Sequence, residues 1–348
     1  MTARAVLFTR HFRRRLSRRI AAATFDRLDR PDPVPLLWSK GIALACDARG
    51  DDDYWHRPTE NVEPEERFVS AYRHAAGRVW VRLSTRARAG LATDLDTFAR
   101  RVVPALHRPF VLVTTDGDIG VPSEVRVETV DALLASPAMV AWYTQNHDGG
   151  RPERIRPIPI GLDLHTPRPW TSPRGLVERL ATLRAERVDA ARQPLRVVCD
   201  LGLSLASVDR ARAVVAVSRL PWADNVDTRL SQAAIWRRYA ASPFVLSSRG
   251  NGLDAHRTWE ALCLGSIVVT TRSSLAPLYE GLPVAIVDDW REVADLANLR
   301  RWQEELAPLT DRDRVWGRLA PEHWTGRMDA ELESRTAPRV GREPPAHR

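Results

Sequence analysis

The sequence is poor in cysteine, and its three cysteines, Cys46, Cys199 and Cys263, are far apart in a chain of 348 residues. Three scattered thiols suit neither a disulfide framework nor a structural zinc spacing, so we expect a reducing compartment, the cytoplasm. The sequence also lacks an uninterrupted apolar run of the length that crosses a bilayer. We therefore do not expect a disulfide-stapled, zinc-ribbon or membrane-spanning protein. A chain of 348 residues is long enough for two domains of ordinary size.

Lysine is almost absent as well, since Lys40 is the single lysine and arginine carries the remaining positive charge. The net charge of +8 is concentrated at the start of the chain, where residues 1–30 hold nine arginines against Asp26 and Asp29. The rest of the sequence is close to neutral. A near-neutral body does not support nucleic-acid binding, which needs a basic surface.

Residues 1–30 form a basic arm in which apolar side chains recur at nearly helical spacing. Phe8, Phe12, Leu16 and Ile20 are set among the arginines. One interpretation is an amphipathic helix that lies on anionic lipid at the inner surface of the membrane. The alternatives are a solvated helix packed on the body, and a disordered extension.

Beyond the arm, short apolar runs alternate with segments of helical pattern, which predicts an α/β fold with parallel sheets. Phe110-Val111-Leu112-Val113 is a clear strand, and Ile42-Ala43-Leu44-Ala45 also reads as one. Leu95 to Val103 suits a helix that stops before Pro104. The stretch from Gly149 to Gly175 is rich in proline and glycine and is the best candidate for a connection between two domains.

The most informative segment runs from Phe244 to Thr271 and reads as strand, glycine loop, helix and second strand. The loop Arg249-Gly250-Asn251-Gly252 has glycines, which reach backbone conformations closed to other residues. Asp254 is a good N-cap for a helix predicted over Ala255 to Leu264. Backbone amides at the start of a helix bind anions such as phosphate.

His256 and Glu260 are four residues apart and so share one face of this helix. Glu260 would lie about 9 Å along the axis from the cap, near a ribose attached to a phosphate at the helix start. Arg249 and Arg257 would favour the anion. The alternative is an ordinary strand, loop and helix, with Glu260 and Arg257 as a solvated pair.

Longer stretches resemble the nucleotide-sugar half of exostosin-family glycosyltransferases. They are RGNGLDAHRTWEALCLG and SSLAPLYEGLPVAIVDDW between Phe244 and Trp290, with WYTQN (Trp142 to Asn146) and IPIGL (Ile158 to Leu162) upstream. The resemblance implies a GT-B architecture, in which two Rossmann-like domains with parallel sheets face each other across a cleft. It also implies inverting transfer without an obligatory metal, with Glu260 near the donor ribose.

The chain is therefore predicted to be a glycosyltransferase of polysaccharide biosynthesis. It would move a sugar from a nucleotide-diphosphate donor to a glycan or other hydroxyl acceptor, with no cofactor and no bound metal. The predicted parts are a basic arm (1–30), an acceptor-side domain (31–160), a nucleotide-sugar domain (161–330) and a disordered tail (331–348). The predicted donor-binding residues are Ser248, Arg249, Gly250, Asn251, Gly252, Asp254, His256, Arg257 and Glu260.

Three residues of the first domain are candidates for the general base that deprotonates the acceptor: Asp118, Asp116 and His147. Asp116-Gly117-Asp118 follows a predicted strand, where ligands gather in α/β folds. It also matches a metal-binding DxD pattern, so a metal-dependent transferase is one alternative, and a polar turn is another. A protein that binds sugar nucleotides or glycans without catalysis is the third.

Overall fold

The computed structural model describes residues 33–56, 61–166, 172–201, 207–226 and 230–336. Within these ranges, nine strands form one four-stranded and one five-stranded sheet. The strands are β1 Gly77–Arg82, β2 Phe110–Thr115, β3 Met139–Thr144, β4 Ile155–Pro157, β5 Val197–Cys199, β6 Ala223–Asn225, β7 Phe244–Leu246, β8 Ile267–Thr271 and β9 Val284–Val287.

Helices lie between the strands and after the last one. The α-helices are α1 Asp52–His56, α2 Glu65–Tyr72, α3 Asp94–Thr97, α4 Val127–Ala135, α5 Pro173–Ala185, α6 Val208–Val217, α7 Gln232–Ala240, α8 His256–Cys263, α9 Leu296–Leu306, α10 Arg312–Leu319 and α11 Pro321–Thr336. Short 3-10 turns cover Gly41–Ala45, Thr85–Ala89, Val103–Ala105, Ala190–Arg192, Ala276–Tyr279, Trp290–Ala294 and Ala307–Thr310.

The first sheet has the strand order β1–β2–β3–β4, and all neighbouring strands are parallel. β2 is buried along its whole length, as expected for a central strand covered on both faces. Because the strands run in one direction, their carboxyl ends share one edge. Ser84, Asp116 and Asn146 lie there, shortly after β1, β2 and β3.

The second sheet has the order β6–β5–β7–β8–β9 and is also parallel throughout. Alternate residues of its strands face opposite sides, and both sides are buried. Val198, Val245 and Val268 belong to one apolar cluster, and Val197, Phe244 and Ile267 to another. The chain leaves β5 toward β6 and returns to β7 on the other side of β5, so a crevice is expected between the carboxyl ends of β5 and β7.

The carboxyl edges of the two sheets face each other. The backbone N–H of Asp254, in the loop after β7, donates to Oδ1 of Asn146 at 2.9 Å. Oγ of Ser274, in the loop after β8, donates to the carbonyl of His147 at 2.7 Å. The prediction of an α/β fold with two facing parallel sheets is confirmed.

Helix α11 crosses back from the second sheet to the first. Trp324 and Met328 are buried, and the hydroxyl of Tyr143 on β3 donates to Glu331 at 3.0 Å. Residues 331–336, predicted as tail, continue this helix. The arm of residues 1–30 and the tail beyond residue 336 lie outside the described residues. No helix within the described ranges is both long and apolar enough to span a bilayer.

Two local predictions differ from the structure. The strand predicted at Ile42 to Ala45 is wrong, because these residues form a 3-10 turn whose N–H groups bond locally, as Cys46 does to Ala43. The helix predicted from Leu95 to Val103 continues from α3 into a π-helical turn, Phe98–Val102. The apolar run at Ile42 to Ala45 does not reveal 3-10 hydrogen bonding, and the apolar spacing from Leu95 to Val103 does not distinguish an α-helix from a π-helical turn.

Candidate functional site

The loop after β7 lies beside the crevice between β5 and β7. Its first side chains are buried and bonded: Ser247 Oγ is 2.7 Å from Thr258 Oγ1, and Ser248 Oγ donates to Asp209 at 2.6 Å. Arg249 is exposed. A cavity of about 250 Å³ opens between this loop, the end of β8 and the start of α6. It is lined by Asp209, Ser247, Ser248, Arg249, Leu253, Ala255, Thr258, Thr270, Thr271, Arg272, Ser273 and Tyr279.

The two glycines of the loop are explained by close approach and not by unusual backbone angles. Neither Gly250 nor Gly252 has a positive φ. A Cβ added to Gly252 would lie 2.7 Å from Oδ1 of Asn146, and one added to Gly250 would lie 2.9 Å from Nη2 of Arg210. The loop is therefore pressed against the first sheet on one side and against an arginine on the other.

Asp254 does not cap the following helix, and this correction changes its role. The N-cap is Ala255, without a side-chain cap. The buried carboxylate of Asp254 accepts from the N–H groups of Ile160 and Ala255, both at 2.8 Å, and from the indole of Trp259 at 2.9 Å. Burial raises its pKa to about 6. Asp254 therefore joins the start of α8 to the segment after β4.

Arg257 lies at the crevice, but its charge already has a partner. Its Nε is 2.6 Å from Oδ1 of Asp200, directly after β5, and 3.2 Å from the hydroxyl of Tyr239. Burial opposes the charge of Arg257, yet Tyr239 and Asp200 raise its pKa overall. The structure therefore places Arg257 in an ion pair that holds α8 against β5, and the alternative of a solvated pair with Glu260 is wrong.

Arg210 is a crevice residue that the sequence analysis missed. It lies in the first turn of α6, and its Nε donates to the carbonyl of Arg249 at 3.0 Å. Burial, together with the positive charge of Arg257, lowers its pKa. Within the described ranges, neither Arg210 nor Arg249 forms an ion pair. The signal available in the sequence was its position at the start of the helix that follows β5.

His256 and Glu260 share one face of α8, as predicted, and this face contacts the segment after β4. Nδ1 of His256 donates to the carbonyl of Gly161 at 2.8 Å. Oε1 of the buried Glu260 accepts from the N–H of Asp163 at 3.4 Å and from Gln232 at 2.8 Å. The motifs around Ile158–Leu162 and Phe244–Trp290 are therefore in direct contact.

The three candidate bases have different surroundings. Asp116 is buried, with its carboxylate 3.1 Å from Nε of Arg82 and 3.6 Å from Nζ of Lys40. His147 is also buried, and its Nε2 donates to the carbonyl of Gly150 at 2.9 Å. Asp118 is partly exposed, and in the described part of the chain its carboxylate has no hydrogen bond or ion pair.

Arg88 brings Asp118 next to the glycine loop. Its Nη2 donates at 2.8 Å both to the carbonyl of Asp118 and to the carbonyl of Asn251. Glu124 pairs with the same guanidinium at 3.1 Å. One candidate base therefore lies in the loop after β2, and Arg88 joins its backbone to the loop predicted to bind the donor. The two cations that hold Asp116 make a metal site at Asp116-Gly117-Asp118 unfavourable.

No protein-family model matches the sequence, and no curated protein matches it. Among solved structures, the chain is similar to UDP-forming α,α-trehalose-phosphate synthases from Burkholderia xenovorans (12% identity, 75% of this chain and 74% of that one, TM-score 0.41) and Burkholderia vietnamiensis (12%, 74% and 72%, TM-score 0.41). A further similar structure is described as "Trehalose-6-phosphate from E. coli bound with UDP-2-fluoro glucose" (11% identity, 69% of this chain and 76% of that one, TM-score 0.36). The exostosin resemblance stays a prediction.

Proposed function

We propose that the chain is an exostosin-like glycosyltransferase that moves a sugar from a nucleotide-diphosphate donor to a hydroxyl acceptor. One observation carries this proposal. Beside the crevice expected between β5 and β7, the glycine loop lies between Arg210 and Asn146, and neither Arg210 nor Arg249 forms an ion pair in the described ranges. Crevices at such a reversal of strand order are where open α/β sheets bind their ligands.

The donor diphosphate would lie along the glycine loop. Arg210 and Arg249 would balance its charge, and these arginines would also stabilise the diphosphate as it leaves. Glu260 would bind the ribose, as the resemblance implies. Arg257 would act indirectly, by fixing α8, because Asp200 already neutralises it.

The acceptor would approach from the first sheet, with Asp118 as the general base. Asp118 would take the proton of the acceptor hydroxyl as its oxygen forms a bond to the anomeric carbon of the donor sugar. The bond between that carbon and the diphosphate oxygen would break on the opposite face, so the configuration inverts. This step would need no metal, because the arginines would balance the charge of the leaving group.

The test combines donor binding with transfer. Calorimetry against a panel of nucleotide diphosphates and their sugars should find a ligand whose affinity falls about tenfold or more in Arg210→Ala. Asp118→Asn should bind that donor normally but lose about 10²- to 10⁴-fold in the rate of transfer. The matched control is Asp131→Asn, since Asp131 is exposed on α4 away from the crevice.

Three results would contradict parts of this proposal. Binding of no nucleotide diphosphate across the panel would remove the donor site. Transfer that survives intact in Asp118→Asn would remove the assigned base. Donor binding without transfer or donor hydrolysis across a broad acceptor panel would instead indicate a catalytically silent sugar-nucleotide binder.

We propose in addition that residues 1–30 hold the protein at anionic lipid on the cytoplasmic face of a membrane, where a glycan acceptor would be made. The nine arginines of this arm supply the attraction. Co-sedimentation with vesicles containing anionic lipid should fall when residues 1–30 are deleted and when salt is raised. Equal partitioning of the full chain and the shortened chain would exclude a membrane role for the arm.

A further inference from the structure

Two histidines and an aspartate come together at the junction of the two sheets. Asp163 and His165 lie on the segment after β4, and His256 is the first residue of α8. One ligand atom from each lies within 4.8 Å of the other two. Oδ1 of Asp163 is 3.4 Å from Nδ1 of His165, and the two imidazole rings are 5.1 Å apart.

The hydrogen bond of His256 determines which of its ring nitrogens is available. Nδ1 is 2.8 Å from the carbonyl of Gly161, and a carbonyl oxygen can only accept. The proton of the neutral ring is therefore on Nδ1, and Nε2 holds the lone pair. A histidine whose other nitrogen donates to a backbone carbonyl is the usual arrangement of a metal ligand, because that bond sets the tautomer and the orientation of the ring.

The separation of the donor atoms is close to that of a metal site. Zinc bonds of about 2.0–2.2 Å in tetrahedral geometry place neighbouring ligand atoms roughly 3.4 Å apart. Oδ1 of Asp163 and Nδ1 of His165 already have this separation, and an ion bound there would take the place of the Ser39 hydroxyl, which is 3.3 Å from the same nitrogen. The other donor-atom distances are at most 4.8 Å, so they must shorten by at most about 1.4 Å when an ion binds. The side chains of His165 and Asp163 are 33% and 20% exposed, so an ion can reach them from solvent.

An ordinary histidine–aspartate pair accounts for only part of this cluster. It explains the contact between Asp163 and His165, but not the second imidazole beside them with its tautomer set by Gly161. Two nitrogen donors and one carboxylate are a typical set for zinc and its neighbours in the first transition row. Three protein ligands also leave one position of a tetrahedral ion open for water.

We propose that Asp163, His165 and His256 bind one divalent ion of the first transition row, zinc in the first instance. The ion would fasten the segment after β4 to the start of α8. This metal site is separate from the proposed transfer step, which uses no metal. Metal binding alone tests it, whatever the outcome of the transfer assay.

The test is metal binding by the full chain, purified without a histidine tag and stripped with a chelator. Calorimetry should find one equivalent of zinc, and cobalt should give the visible absorption of a tetrahedral site. Zinc should raise the melting temperature of the native chain, since a ligand that binds the folded state stabilises it. His165→Ala and His256→Ala should each weaken binding by about tenfold or more.

His107→Ala is the matched control, because His107 is exposed and remote in sequence from the cluster, and it should bind zinc like the native chain. Asp163→Asn, which keeps the shape of the side chain, should also weaken binding. Circular dichroism in chelator shows whether each variant folds. Zinc binding that is equally tight in the folded cluster variants, or cobalt binding without tetrahedral absorption, would overturn the proposal.

Discussion

Residues of the same type, close in sequence, have different chemical roles in this protein. Asp116 is buried between Arg82 and Lys40, whereas Asp118 is partly exposed and its backbone carbonyl accepts from Arg88. The sequence identifies both as candidates because they follow a strand. It does not separate them, because the cations that hold Asp116 come from positions 34 and 76 residues earlier in the chain.

Asp94 provides a residue-scale prediction about pH. It is 1% exposed, its Oδ1 accepts from the N–H of Glu63 at 2.9 Å, and burial raises its pKa from 3.8 to about 6. The folded state therefore holds this proton more tightly than the unfolded state. Its stabilising effect is complete below about pH 4 and is lost as the pH rises through about 6, which lowers the free energy of unfolding by up to about 3 kcal/mol.

Asp94→Asn keeps an oxygen for the N–H of Glu63 but has no charge to bury. Urea unfolding should therefore show a variant more stable than the native chain at pH 7.5 and similar to it at pH 4. Asp254, whose pKa is also raised to about 6, keeps its own share of the pH dependence in the variant. Asp131→Asn is the exposed control. An unchanged slope between pH 4 and 6 in Asp94→Asn would contradict the prediction.

At the scale of an element, α8 shows how much of a site a local pattern can predict. The sequence pattern predicts this helix one residue too long at each end, and it correctly places His256 and Glu260 on one face. The partners of that face were not predictable, because Gly161 and Asp163 are about a hundred residues earlier and their contact depends on how the sheets meet. The ion pair of Arg257 with Asp200 was missed for the same reason.

Removal of one partner of that ion pair should be costly. The side chains of Arg257 and Asp200 are 16% and 14% exposed, so Asp200→Asn leaves a buried guanidinium without its counter-charge. We expect a loss of about 3–5 kcal/mol in the free energy of unfolding, measured with urea. The control is Asp288→Asn, whose pair with Arg272 is 77% and 67% exposed and should contribute less than about 1 kcal/mol. Equal losses of unfolding free energy in Asp200→Asn and Asp288→Asn would show that the buried Arg257–Asp200 pair does not stabilise the fold more than an exposed pair.

At the scale of the whole molecule, the two sheets are joined edge to edge by polar contacts and by a returning helix. Asn146 and Asp254 bond across the junction, Arg88 spans it, and α11 carries Trp324 and Met328 back to the first sheet. The boundaries predicted from the sequence divide α11 between the second domain, which ends at residue 330, and the tail that follows. In the structure, α11 packs as one helix against β1, β2 and β3 of the first sheet.

The closeness of this junction can be tested at Gly252. A methyl group there would lie 2.7 Å from Oδ1 of Asn146, the oxygen that also accepts a hydrogen bond from the N–H of Asp254. Gly252→Ala should lower the free energy of unfolding by about 1–3 kcal/mol. Gly317→Ala in α10 is the matched control, because nothing lies within 4 Å of its added methyl group and alanine should stabilise the helix by about 0.5–1 kcal/mol. A neutral Gly252→Ala would mean that the sheets separate readily at this point.

The sequence by itself determined the alternation of strands and helices, the parallel sheets and the segment from Phe244 to Thr271 as the place to look for a ligand. These follow from local periodicity, since a buried strand and an amphipathic helix need particular residues at particular spacings. Tertiary structure alone decided the partners: Asp200 for Arg257, Asn146 for Gly252, and Arg210 over the glycine loop. Such contacts join positions far apart in the chain, and they depend on which edges of the two sheets face each other.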